Sequence, residues 1–187
     1  MPAPWFLFFL GFALALALVW VRMRFFSFPG QTSDDYTNGP QFDLRTHLNG
    51  PMRCDGAIYG PTGRVVSRFS ADMTPRWEGN QGVMPEVFRY DSGTVQHREW
   101  RLNVDDAGRI TASAEDLVGQ GTGQQLGSAV VMRYRIRLTA DAGGHQLSVT
   151  DWMYLAPDGT IVNRSQFRKF GIKVAELVAV IAPKDLK

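Results

Sequence analysis

The 187-residue chain carries 20 Lys and Arg against 18 Asp and Glu, for a formal net charge of +2. Its two surplus cations, Arg22 and Arg24, flank a hydrophobic stretch near the N-terminus, so the rest of the chain is balanced. That balance lacks the clustered cations on which nucleic-acid binding depends. Cys54 is the single cysteine, which excludes an internal disulfide and a thiolate metal site.

Residues 5–21 contain no charge and are rich in Leu, Phe and Ala. As a helix they span about 25 Å, at the short end of what crosses the hydrocarbon core of a bilayer. Trp5 and Trp20 stand near the two ends, where amphipathic rings prefer the membrane interface. Arg22 and Arg24 end the stretch, with Phe25, Phe26 and Phe28 as expected interfacial contacts. A buried core helix is the alternative, but no polar face exists for it to show to water. Residues 1–28 therefore read as a single-pass transmembrane or signal-anchor segment, with membrane lipid as the partner of residues 5–21. Orientation is open at this level. The positive-inside rule would keep the following domain in the cytoplasm, whereas Ala13-Leu14-Ala15 faintly resembles a signal-peptide cleavage site. Residues 29–41 are polar and turn-rich and read as a linker, leaving 42–187 as the domain.

From Gly50 onward, runs of about eight to twelve residues alternate with compact turn signals. Pro61-Thr62-Gly63, Asn80-Gln81-Gly82, Asp91-Ser92-Gly93, residues 105–108, residues 141–144 and Pro157-Asp158-Gly159 are the punctuation. The clearest strand is 130–139, where Val130, Met132, Tyr134, Ile136 and Leu138 alternate with Val131, Arg133, Arg135, Arg137 and Thr139. That period of two belongs to a half-buried strand. Val65, Phe69, Ala71 and Met73 repeat it, as do Leu147, Val149, Met153 and Leu155 around the exception Asp151. Eight or nine strands joined by short turns predict an all-β antiparallel meander, which must hide its edges by curling into a barrel or half-barrel. A sandwich is the alternative. Residues 172–181 could close the sheet as a strand or form a short helix.

The chain lacks the motifs of common catalysis. His47, His97 and His145 are far apart and none has metal-ligand spacing. There is no Gly-x-Ser-x-Gly elbow and no His-Glu-x-x-His. Gly119-Gln120-Gly121-Thr122-Gly123 is followed by a strand rather than a helix N-terminus, so it reads as a hairpin connection or a glycine-bent strand, not a phosphate loop. The remaining signal is polar residues inside apolar strands: Asp116, Asp151 beside Trp152, Asn163, Arg164 and Lys169. An inward Asp151 needs a partner because an unpaired buried carboxylate is costly, and Arg164, across the Asp158-Gly159 hairpin, is the expected one. These six residues form either a structural ion-pair network or the polar floor of a ligand cavity. No catalytic residue and no cofactor is assigned.

Motif order adds a further indication. Phe42-Asp43-Leu44 and Asn49-Gly50 precede Phe88-Arg89-Tyr90-Asp91-Ser92-Gly93 and Arg98-Glu99-Trp100. Asp116-Leu117-Val118-Gly119-Gln120-Gly121-Thr122-Gly123, Asp151-Trp152-Met153-Tyr154-Leu155, Val162-Asn163-Arg164 and Lys169-Phe170-Gly171 follow. Over residues 42–180 this resembles the uncharacterised bacterial family known as domain of unknown function 3833 (DUF3833). The resemblance implies a lipocalin-like β-barrel near a membrane, often as a lipoprotein, with no established activity. No Cys follows the hydrophobic segment here, so anchoring falls to the segment itself. The family precedent favours a periplasmic domain in the bacterial envelope over one on the cytoplasmic face. The expected function is a membrane-anchored barrel binding an apolar small molecule such as an acyl chain. The alternative is a packed β scaffold that contacts a partner envelope protein, with neither ligand nor catalysis.

Overall fold

A computed structural model describes residues 4–25, 28–140 and 143–184. Phe26 and the first half of the 141–144 turn, both named above, lie outside those residues. Helix α1, Pro4–Phe25, has no polar face, and its described side chains are exposed on every side. Over Trp5–Arg22 it is long and apolar enough to cross a membrane, by length and composition.

The body is one antiparallel sheet. Its strands are β1 (Met52–Tyr59), β2 (Val65–Met73), β3 (Arg76–Glu78), β4 (Gln81–Tyr90), β5 (Val95–Val104) and β6 (Arg109–Ser113). They continue as β7 (Gly121–Leu126), β8 (Ala129–Arg137), β9 (Gln146–Leu155), β10 (Ile161–Lys169) and β11 (Ile172–Pro183). From β4 to β11 each strand pairs with the next, β11 pairs with β1, and β1 with β2. β2 then pairs with β4, from Phe69 opposite Tyr90 to Met73 opposite Glu86, and this closes a ring of ten strands. The short β3 stays outside the ring and pairs with β4 alone. Closure leaves the ten strands no free edge, the outcome that hides backbone donors and acceptors best.

The alternation in the sequence sets the faces. Val130, Met132, Tyr134 and Ile136 of β8 are buried in the barrel core, while Arg133, Arg135 and Arg137 face water. The structure has more strands than the eight or nine expected, because β3 has only three residues and because Gly121 and Gly123 belong to a strand. A Cβ on Gly123 would stand 2.5 Å from the Val131 carbonyl oxygen, so glycine is what lets β7 lie this close to β8. The sandwich alternative does not form, and residues 172–181 are strand, not helix.

The two ends of the barrel differ. One is closed by a single helical turn, α2 (Leu44–His47), whose Asp43 cap accepts the Arg45 backbone N–H at 2.9 Å. Leu44 and Leu48 are buried in the core there, and the Trp77 indole N–H donates to the Leu48 carbonyl at 2.8 Å. The opposite end carries the 60–63, 91–94 and 170–171 turns.

The stretch between α1 and α2 adheres to the outside of the barrel instead of hanging free. Tyr36 packs on Trp152 and Tyr154 with ring centroids 5.2 Å apart in both cases, and the Ser128 N–H donates to the Tyr36 carbonyl at 2.9 Å. Phe28, Ala129, Val131 and Trp152 form a second small core under this strap. The strap thus runs from the open end, beside β10 and β11, to the capped end.

Candidate functional site

Inside the ring lies a cavity of about 120 Å³. Its walls are mostly apolar, including Phe69, Met84, Met132, Met153, Phe167 and Leu177, with Leu44 and Leu48 of the cap as its floor. Two polar groups interrupt the wall.

The first is centred on Asp151. Its parity on β9 points it inward with Val149 and Met153, as the alternation predicts. The expected partner does not meet it. Arg164 has the outward parity on β10 and pairs with Glu176 on the outer face, where its guanidinium also lies 5.1 Å from the Phe28 ring. The inward residues on either side of it, Asn163 and Ser165, serve Asp151 instead. The Ser165 hydroxyl donates to Oδ1 at 2.7 Å, the Asn163 amide donates to the same oxygen, and the Tyr134 hydroxyl donates to Oδ2 at 3.3 Å. Burial pushes the Asp151 carboxyl above its ordinary value, while these hydrogen bonds draw it back.

The second group is absent from the sequence reading. Glu86 on β4 and Arg98 on β5 stand directly across from each other, both on the inner face. Glu86 is 5% exposed. Burial pushes its carboxyl up to about 7, opposed by Arg98 and reinforced by the charges of Asp151 and Asp116. Arg98 lies over the Trp100 ring at 4.2 Å and donates through Nε to Asp116 at 3.0 Å. Among the described residues, two buried side-chain atoms lack a hydrogen-bond partner, and they are Glu86 Oε2 and Arg98 Nη2.

Of the six residues singled out from the sequence, Asp151 and Asn163 line the cavity, and Asp116 reaches its edge through Arg98. Trp152 and Arg164 lie on the outer face, Trp152 under the strap and Arg164 on Glu176, and Lys169 stands at the β10–β11 hairpin. Glu86, Arg98, Tyr134 and Ser165 were missed. A signal for them existed, since Glu86 falls in step with Met84 and Phe88, and Arg98 in step with Trp100 and Leu102.

Burial, reinforced by the charges of Glu86, Asp55 and Asp151, pushes the Cys54 thiol up to about 12, far from a nucleophilic thiolate. Among the described residues, no three His, Cys, Asp or Glu side chains gather as a metal site. What the site offers is an apolar bore with one free acceptor and one free donor.

Residues 23–183 match the family described as Protein of unknown function (DUF3833). The chain belongs to the DUF3833 family. This DUF3833 member matches no curated protein. Among solved structures it is similar to the S-type phycobiliprotein lyase CPES from Guillardia theta, with a TM-score of 0.55 and 8% identity. The match covers 77% of this chain and 92% of that one. At that identity the likeness speaks for the fold, a closed antiparallel barrel of lipocalin-like type.

Proposed function

We propose that this protein is a membrane-tethered binding barrel that holds a slim apolar chain, such as a lipid acyl chain, in its bore. The observation that carries this reading is the cavity itself, apolar along its walls yet lined by Glu86 and Arg98, each with a buried atom lacking a partner. Native interiors rarely leave such atoms unsatisfied, and ligand contact is one of the few reasons they do.

The dimensions narrow the ligand. An engineered cavity of ~150 Å³ lined by aliphatic side chains holds benzene, so about 120 Å³ accommodates one ring or a short run of a single chain. Charge narrows it further. Glu86, Asp151 and Asp116 surround one guanidinium, Arg98, so the field disfavours a further anion and favours an uncharged head that donates to Glu86 and accepts from Arg98. The uncapped end lies toward the exit of α1, which supports loading from a bilayer. In this reading α1 is the tether and the domain lies on the periplasmic side, with the cytoplasmic face as the alternative.

Native mass spectrometry of the full-length protein, extracted gently from its own membranes, tests the proposal. The comparison is with Met132→Trp and Leu177→Trp, which fill the cavity from different walls and keep the tether. A small-molecule adduct carried by the parent and lost from both folded variants is the expected result. Identical adducts on all three proteins would be lipids following α1, and would favour a packed scaffold that contacts a partner protein.

A further inference from the structure

The β10–β11 hairpin ends in a two-residue turn, Phe170-Gly171, between the paired Lys169 and Ile172. Both turn residues have positive φ, 52° for Phe170 and 80° for Gly171. Turns of this form prefer Asn-Gly or Gly-Gly, because a residue with a bulky side chain is strained there. Among the described residues, Phe170 is the only non-glycine with positive φ. It gains no packing in return, being 93% exposed, and its neighbour Ile172 is 70% exposed. A strained aromatic aimed at water contributes nothing to the fold, which points to a contact outside it.

The surroundings identify that contact. Arg168, Lys169 and Lys173 cluster at this end of β10 and β11, and Arg164 lies further along β10. Lys173 and Arg164 hold Glu176, and Asp35 is the other acidic group of the adjoining groove, so cations exceed anions. Lys169 lies 5.8 Å from the Phe170 ring. The same groove is lined by Gly171, Ile172 and Lys173 on one side and by Phe25, Phe28 and Pro29 on the other. The last residue of α1, Phe25, thus shares a groove with the hairpin, and Arg22 and Arg24 lie in the last turn of that helix.

We propose that the 168–173 hairpin is a second membrane contact, inserting Phe170 and Ile172 into the interface of an anionic phospholipid surface while Arg168, Lys169 and Lys173 engage its headgroups. The proposal rests on reading α1 as membrane-spanning. Given that, the hairpin and the helix fix the barrel at two points and set its uncapped end against the bilayer. An apolar side chain at the headgroup boundary with adjacent cations is the usual composition of such contacts.

The test uses the full chain in vesicles of phosphatidylcholine, with or without phosphatidylglycerol. Flotation first reports whether α1 is inserted. An environment-sensitive fluorophore is attached at Ile172→Cys, Cys54 being buried. Blue-shifted emission, quenched by bromine in the upper acyl chains, is expected with phosphatidylglycerol and weakens in high salt. The same probe at Ala107→Cys, on the capped end, is expected to stay in water. Each cation at an anionic surface is worth about fivefold, so Arg168→Gln with Lys169→Gln lowers the docked-to-undocked ratio roughly 25-fold. Phe170→Asn relieves the turn, and raises the unfolding temperature in detergent while reducing the quenching. Water-like emission at position 172 in inserted protein, or quenching unchanged by Phe170→Asn, would overturn the second contact and leave the tether intact. Failure to float would overturn the tether and the hairpin contact together.

Discussion

Glu86 and Arg98 face each other across β4 and β5 inside the barrel, and each keeps one buried polar atom without a partner. A pair so placed would ordinarily close on itself. Here Arg98 is drawn instead to Asp116 through Nε and lies flat on Trp100. Its second terminal nitrogen and the free Glu86 oxygen remain available.

Glu86 makes stability depend on pH. Its carboxyl is raised to about 7 in the fold from an ordinary 4.5. The native state therefore holds a proton that the unfolded chain releases, and the associated stability is complete below pH 4.5 and lost as pH rises to about 7. The shift corresponds to about 3 kcal/mol. Asp151, also raised, acts in the same direction. Urea unfolding at pH 5 and pH 8 is expected to show lower stability at pH 8, with the difference substantially reduced in Glu86→Gln. An unchanged pH dependence in that variant would place the ionisation elsewhere.

Asp151 accepts from three side chains, and an amide in its place sets N–H groups against existing donors. Asp151→Asn is expected to lose about 1–3 kcal/mol while keeping its β-sheet circular dichroism. A variant as stable as the parent would mean that the three donors find other acceptors.

Cys54 is closed to reagents in the native state, by burial and by a thiol raised to about 12. Iodoacetamide at pH 8 is expected to leave the native protein unmodified and to alkylate it fully in denaturant, read by intact mass. Rapid native labelling would show that the bore opens readily.

The strap is held chiefly by aromatic contact. Trp152 is 1% exposed, stacked on Tyr154 and covered by Tyr36. Trp152→Ala is expected to cost about 3–5 kcal/mol. Tyr36→Ala removes the cover and leaves Trp152 in place, so its expected effect is faster limited proteolysis within residues 29–41 at little cost to the ring.

The barrel was legible because one face of each strand is apolar, and β8 and β9 display that pattern almost without interruption. Parity also held the answer to the Asp151 question. A partner on a neighbouring strand must share its inward face, which admits Asn163 and Ser165 and rejects Arg164. The Glu86–Arg98 relation was harder to see. Both residues are charged, and a charged residue within an alternating run is naturally assigned to the water side. Their meeting depends on the register between β4 and β5, which no local pattern specifies. Phe170 was visible only as part of a motif, since its strain and its exposure are properties of the folded turn.

The join between β1 and β11 has a consequence in time. Met52 of the first strand pairs with Pro183 of the last, so β1 stays unpartnered on that side until β11 has been made. Until β11 has been made, the nascent sheet has two unsealed borders and no way to shut them. Such long-range pairing is slow and exposed to aggregation. The growing protein therefore has most need of a chaperone in the interval before its final strand arrives.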